Sequence, residues 1–410
     1  MRLVEFRNKL SFQIEWALAF VLLFNSLSWY FLGQIMVDKI ANPYNDTSIE
    51  YLILRLVYPI SIIASGIIGV GFTTKVRKIR FFCIWLISGV LASLLAGIPV
   101  GTNLPGALII ITFIGSSLGL GMPACFGFFV NSIPIDKRGK VGGITFLVTS
   151  ACVPLIAFTC LTLSLASSAV ILAMWRCWSL VFLLLFSKES PPQISNRRKT
   201  SFHSVIRNKT FLLYFAAWLM FSLVDSFESE VLGLYVKEFQ FIMIIIEPIV
   251  AGFSALVAGV LSDWVGRKRV MIFGFVSLGV AYAVLGIFSE FSASWIFFFI
   301  VDGMAIGLLW MLFTIVLWGD ISEFDAEKYY AIGETPLFMA HIVSLLFAPY
   351  VTLIGELTSV FSLAAFFLFI AVIPLLYARE TLPQRKIEKR QLKIYTEEAL
   401  KMRQKTEQRR

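Results

Sequence analysis

Twelve long apolar runs constrain this chain more than any other feature. They lie at roughly 12–36, 51–74, 80–99, 105–131, 141–162, 166–187, 210–235, 239–262, 270–289, 293–319, 330–353 and 357–378. Each holds about 20 apolar residues, enough for a helix rising ~1.5 Å per residue to cross ~30 Å of hydrocarbon. The runs are continuous rather than alternating ten-residue segments, so helices fit and a barrel does not. Composition agrees, with 58% of the 410 residues hydrophobic and only 15% charged. No polar exterior can be assembled from that balance. A soluble enzyme, a secreted disulfide scaffold and a disordered hub are thereby excluded. The first run is expected to stay in the chain: it is too long for a signal peptide and ends in Val37-Asp38-Lys39 without a small-residue cleavage site.

Charge is sorted by loop. Loop 2–3 carries Lys75, Arg77, Lys78 and Arg80. Loop 4–5 carries Lys137, Arg138 and Lys140. Loop 6–7 carries Lys188, Arg197, Arg198, Lys199, Arg207 and Lys209, and loop 8–9 carries Arg267, Lys268 and Arg269. The odd-numbered loops Gly101 to Gly106 and Leu161 to Ser168 carry none. The positive-inside rule then puts both termini in the cytoplasm, with the cell membrane as the expected location. Loop 10–11 is the exception, being acidic at Asp320, Glu323, Asp325 and Glu327. Residues 380–410 hold ten Lys/Arg and five Asp/Glu, more than half of the net charge of +9. They read as a solvated basic tail or an amphipathic helix on anionic headgroups. Bases confined to one membrane face argue against a nucleic-acid partner.

The five cysteines all fall inside spans and form no CxxC, so they read as small hydrophobes rather than redox or metal groups. No metal or cofactor is expected. Two glycosylation sequons occur, Asn45-Asp46-Thr47 and Asn208-Lys209-Thr210, and the second faces the cytoplasm on this topology.

Residues 188–209, with Pro191, Pro192 and a basic run, divide the chain into six spans and six. The expected units are a six-helix bundle over 1–187, a cytoplasmic linker over 188–209, a second bundle over 210–379 and a tail over 380–410. The halves share punctuation after their second spans. Gly69 aligns with Gly259, Thr73 with Asp263, Val76 with Gly266, and Arg77-Lys78 with Arg267-Lys268. Repeated halves with a site at their interface mark secondary transporters.

Gly259-x-x-x-Asp263-x-x-Gly266-Arg267-Lys268 resembles the signature loop of the major facilitator superfamily. Pro134-Ile135-Asp136-Lys137-Arg138-Gly139 resembles that family's lead into span 5. Glu189-Ser190-Pro191 and Arg379-Glu380-Thr381 resemble the span-end motifs of its sugar-porter and metabolite-symporter branch. The resemblance implies two six-helix bundles related by a pseudo-two-fold axis, alternating access, and a sugar, organic acid or similar small metabolite as substrate. It departs from the branch where Ile110 to Phe113 lacks an arginine and Asn131 stands in place of a glutamate. Val148 to Pro154 also lacks the glycine of multidrug antiporters, which argues against that activity.

The signature loop has its own physics. Gly259 lets two helices approach closely, and Gly266 permits a tight turn. Arg267, Lys268 and Arg269 are expected to anchor the loop at the anionic inner face. Asp263 is expected to sit against the N-terminus of span 5 and hold the halves closed there. Thr73 at the matching position would make a neutral, weaker latch.

Ionisable residues inside spans are candidate sites by default, because each costs at least a few kcal/mol there. Asp225 and Glu228 share a face of span 7, three residues apart, and Glu230 follows near the outer interface. Asp225 lies about 22 Å from Thr210 at ~1.5 Å per residue. Glu247 sits in span 8 next to Pro248, expected to loosen that helix, and Asp302 sits in span 10 before Gly303 and Gly307. These four acids, Asp225, Glu228, Glu247 and Asp302, are the candidates for proton coupling. Arg176 in span 6 is expected either to pair with an acid or to bind an anionic substrate. His341 is a candidate proton relay. Trp29, Tyr30 and Trp310 are candidates for stacking on a substrate ring, and Glu15 and Arg55 are expected to snorkel. No GxxxxGK[ST] loop occurs, and the two histidines supply no membrane-enzyme active site. The expectation is a monomeric, proton-coupled symporter. The alternatives are an uncoupled facilitator or a transporter-like sensor or scaffold.

Overall fold

The computed structural model describes residues 2–46, 48–73, 78–187, 201–235, 246–322, 324–354, 357–383 and 392. Helices account for nearly all of them. Twelve are long and apolar enough to cross a membrane: α1 (Gln13–Ala41), α2 (Ile49–Thr73), α3 (Lys78–Leu95), α4 (Leu104–Ser132), α5 (Arg138–Thr162), α6 (Leu165–Phe186), α7 (Lys209–Glu228), α8 (Glu247–Val265), α9 (Arg267–Ile287), α10 (Ser292–Ile321), α11 (Ala326–Phe347) and α12 (Thr358–Tyr377). The chain is a multi-pass membrane protein. The helix of α1 extends back to Arg2 and that of α7 on to Tyr235.

The pairing of helices carries the symmetry. In the first half α2 packs on α4, α3 on α4 and α6, and α1 on α5 and α6. Adding six to each number gives the pairings of the second half: α8 on α10, α9 on α10 and α12, and α7 on α11 and α12. Two six-helix bundles therefore repeat one plan. They meet through α5 against α8 and through α2 against α11, which the same shift exchanges. Glycines sit at the tightest crossings. A Cβ at Gly115 or Gly119 would meet α2, one at Gly307 would meet the carbonyl of Ala251, and one at Gly139 would meet the carbonyl of Gly259. In a membrane, where lipid tails are as apolar as the helices, such close contact is what holds helices together.

Three spans predicted as continuous are interrupted. α4 breaks at Leu120–Gly121, where Pro123 removes a backbone donor and the next helix begins. The Gly121 Cα faces the Trp85 indole, whose N–H donates to Ser117 O at 2.6 Å. α10 turns π-helical over Met311–Leu317, where the Tyr330 hydroxyl donates to the carbonyl of Ile315. α11 is interrupted at Glu334, just before Thr335-Pro336. Pro248 lies in the first turn of the described α-helix, directly after a π-helical Ile246, and the preceding part of span 8, residues 236–245, lies outside the described residues.

Asn208 explains how the second bundle begins. Its side-chain carbonyl accepts from the N–H of Thr210 (3.0 Å) and Phe211 (3.3 Å), capping α7. The linker's residues 188–200 and most of the tail lie outside the described residues, as do Glu189-Ser190-Pro191 and Arg77.

Gly307→Leu is expected to lower stability by ~1–3 kcal/mol, because backbone stands where the new side chain would go. Gly71→Ala, with nothing within 4 Å of its Cβ, is the control expected to change little. Thermal unfolding in detergent reads both, and an unshifted Gly307→Leu would contradict the close α8–α10 packing.

Candidate functional site

One end of the molecule gathers the bases Lys78, Arg138, Arg267 and Lys268. Here α8 meets α5. Each of Gly139 and Gly259 lacks a side chain where the other's carbonyl lies, so the last turn of α8 touches the first turn of α5. Asp263 accepts from the N–H of Gly139 (3.0 Å) and of Lys140 (2.7 Å). A carboxylate at a helix N-terminus meets both free donors and the favourable end of the helix dipole.

Gly266, at φ 106°, turns the chain so that α9 starts at once and Arg267 points back under α8. Arg267 donates to Asp263 (2.5 Å), Ser262 Oγ (3.1 Å) and the carbonyl of Ile135 (2.8 Å), and its Nε donates to Asp320 (3.0 Å). Asp320, at the end of α10, accepts in turn from Arg138 at 2.7 Å. Arg138 also donates to the carbonyls of Val130 (2.5 Å) and Ile133 (3.1 Å). Two acids and two bases thus balance in a network that is shielded from solvent: Arg267 and Asp320 are fully buried.

Several expectations change here. Arg267 is not a headgroup anchor, because its hydrogen-bond partners are all inside the joint. Lys268 reaches the end of α12, donating to the carbonyls of Leu376 (2.7 Å) and Ala378 (3.0 Å). Glu380 caps α9, accepting from the N–H of Arg267 (2.8 Å) and Lys268 (3.1 Å). Of the three bases only Arg269 is left on the surface.

The matching joint between α2 and α11 has its polarity swapped. Thr73 Oγ1 lies 3.1 Å from Glu327 Oε2 and 2.9 Å from the carbonyl of Val70, sharing one proton between them. Lys78 stands 3.8 Å from the same Glu327. Gly127 on α4 leaves the room that Glu327 occupies. The acid absent at Thr73 is supplied from the opposite half, so this joint is charged rather than neutral. Gly69 serves its own bundle instead, against the carbonyl of Leu120. The acidic loop 10–11 is explained by the same facts: Asp320 and Glu327 are the counter-charges of first-half bases, and Asp325 pairs with Lys328 at 3.1 Å.

The second bundle holds the four candidate acids in one group across α7, α8 and α10. Tyr282 of α9 donates its hydroxyl to Glu228. Asp302 is almost wholly buried, and the charges acting on it are those of Glu228, Glu247 and Asp225. Gly303 brings α8 close enough for the Glu247 side chain to pass at 3.2 Å from where a Cβ would stand. Glu230's side chain lies outside the described residues.

Asp225 also faces the first bundle. The Tyr30 ring packs on Trp310 (5.6 Å between centroids) and Phe338 (5.8 Å), and Tyr30 is within electrostatic reach of Asp225 and Glu334. The Trp310 indole lies beside Asp225 and the Trp318 indole beside Glu334, both outside strict hydrogen-bond geometry. Glu334 is a buried acid that sequence reading missed. The signal was present as Gly333-Glu334-Thr335-Pro336, helix-breaking residues around a charge inside an apolar run.

Among the described residues no acid pairs with Arg176. It is fully buried inside the first bundle, its guanidinium 4.3 Å from the Trp29 ring and 5.6 Å from the Trp85 ring, with Ser117 Oγ at 3.2 Å and Gly89 beneath it. Two indole faces take the place of a carboxylate. Trp29 is thereby committed to Arg176 and is not presented between the bundles. Arg55 pairs with Asp38 at 3.8 Å and lies near His341 of α11, while Glu15 accepts from Ser132 at 3.3 Å.

The model of the Major Facilitator Superfamily matches residues 209–405, the second bundle and the tail. The crystal structure of the human organic anion transporter MFSD10 (TETRAN) superposes on both bundles, with a TM-score of 0.66 at 12% identity, covering 89% of this chain and 99% of that one. The second bundle and most of the tail carry the sequence pattern of the major facilitator superfamily, and both bundles share the fold of the matched transporter structure. No curated protein sequence matches it. Within the superfamily plan, the joint at Asp263 lies where its two bundles meet, and the acid group lies inside the bundle that the family model recognises.

Asp320→Ala is expected to cost roughly 3–5 kcal/mol, since it leaves Arg138 and Arg267 buried without their shared acid. Asp325→Ala, on a partly exposed local pair, should cost less, about 1 kcal/mol. Equal thermal unfolding of the two variants would show that the network does not hold the joint.

Proposed function

We propose that this protein is a secondary transporter that moves a small polar metabolite, a sugar or an organic acid, by alternating access with proton symport. The observation that carries the reading is the group of Asp225, Glu228, Glu247 and Asp302. Carboxylates crowded together in a membrane interior repel strongly, and binding protons in common relieves that repulsion. Asp225 joins this group to Tyr30 and Trp310 at the boundary between bundles, so a proton gained or lost there bears on how the bundles meet. His341 of α11, within electrostatic reach of Arg55 of α2, is a second titratable group near that boundary.

The basic end is the cytoplasmic face of the cell membrane by the positive-inside rule, and both termini lie there. The bundles over 1–187 and 210–379 rock against each other about the site, joined by the 188–209 linker, with the 380–410 tail in the cytoplasm. Asp263, Arg267, Asp320 and Arg138 hold the cytoplasmic side shut, Thr73 and Glu327 supporting them across α2 and α11. Trp310 and Tyr30 form the aromatic wall of the substrate path. Arg176, sealed behind Trp29, supports the first bundle and would meet an anionic substrate only after rearrangement. The MFSD10 structure is that of an organic anion transporter, so organic acids belong beside sugars among the compounds tested. The protein acts as a monomer.

Purified protein in vesicles, with the outside more acid, should accumulate a sugar or organic acid. One pH unit is worth about tenfold accumulation per proton carried. Asp225→Asn should abolish the gradient-driven part. Uptake indifferent to the gradient would make the protein a facilitator, and ligand binding with no uptake would make it a sensor. Asp263→Asn should raise labelling of a cysteine placed at Ser262 from the cytoplasmic side, and unchanged labelling would remove the latch.

A further inference from the structure

The outer wall of the second bundle carries a groove of about 380 Å³ that the transport reading does not use. It lies between α8, α9 and α10 and is lined by Val257, Leu261, Val265, Phe273 and Leu308, with Arg269 at its end. Val257, Leu261 and Phe273 are about half exposed, so the groove opens on the face that lipid covers. Along α8 it runs from Phe253 to Val265, twelve residues or ~18 Å at 1.5 Å per residue. That is about one leaflet of a ~30 Å hydrocarbon core. Its walls are apolar over that depth. The single charge, an exposed arginine, stands at the basic end of the molecule, at headgroup level.

We propose that this groove is a binding site for an anionic phospholipid, one acyl chain lying along α8 and the phosphate on Arg269. An apolar channel one leaflet deep fits an acyl chain and nothing that prefers water. A guanidinium at its mouth fits a phosphodiester, which it can bind through two parallel N–H donors. The site rests on the membrane fold alone and does not depend on which solute is carried. The opposite face of the same α8 turns holds Gly259, Ser262 and Asp263 against α5. A bound chain therefore braces the helix that carries the latch.

The test is native mass spectrometry of the purified full chain with added phosphatidylglycerol or phosphatidylcholine. Phosphatidylglycerol should be retained preferentially. Arg269→Gln should weaken that retention about fivefold, the effect of one basic residue near a membrane surface. Leu261→Trp, which fills the channel, should weaken retention of the same lipid. Arg80→Gln, an exposed base of α3 at the same end, should leave it unchanged. Equal retention of the two lipids, equal effects of Arg80→Gln and Arg269→Gln, or no effect of Leu261→Trp would each overturn the site. So would displacement of the lipid by glycerol 3-phosphate at equal concentration, which has the headgroup chemistry and no chains.

Discussion

The close approach of α8 to α5 at Gly259 and Gly139 is the contact on which the basic end of the molecule depends. Lipid gives helices no hydrophobic reason to associate, so two backbones must touch before polar groups on them can act. Once they touch, Asp263 reaches the open N-terminus of α5. Arg267 then has an acid to lie against, Asp320 has two bases to balance, and Arg138 is drawn in from the first bundle. A side chain at either glycine would separate the helices, taking Asp263 from the N-terminus of α5 and Arg138 from Asp320, and leaving Arg267 as the one partner of both acids.

The pseudo-symmetry holds for backbones and not for charges. The α2–α11 joint repeats the geometry of α8–α5 with donor and acceptor exchanged, Thr73 on one side and Glu327 on the other. It also has less protection, since Lys78 is half exposed whereas Arg267 is sealed. The interior divides as unevenly. Among the described residues the first bundle fully buries one cation, Arg176, stabilised by aromatic faces. The second keeps a group of carboxylates, with Tyr282 and Trp310 beside them. One interior is centred on a cation and the other on carboxylates.

Much of this was legible beforehand. The span count, the division into halves and the Asp263 signature follow from apolar runs and one spaced motif. The four acids stand out because charge is rare in such runs. Other features were hidden for stated reasons. Thr73 looked like a loss because its acid lies 254 residues away. Arg267 looked like a surface anchor because loop bases usually are, and only the Gly266 turn sends it inward. Arg176 suggested an ion pair because sequence does not show that Trp29 and Trp85 converge on it. Glu334 escaped because its run was read as uninterrupted.

By itself the sequence determined that this chain crosses a membrane twelve times, which end is basic, and where charge enters the apolar spans, because hydrophobicity and charge are local properties of residues. The tertiary structure alone decided which charges meet. Partners such as Asp320 with Arg138, or Glu327 with Thr73, come from opposite bundles, and their pairing exists only once the helices cross at distances that glycine permits.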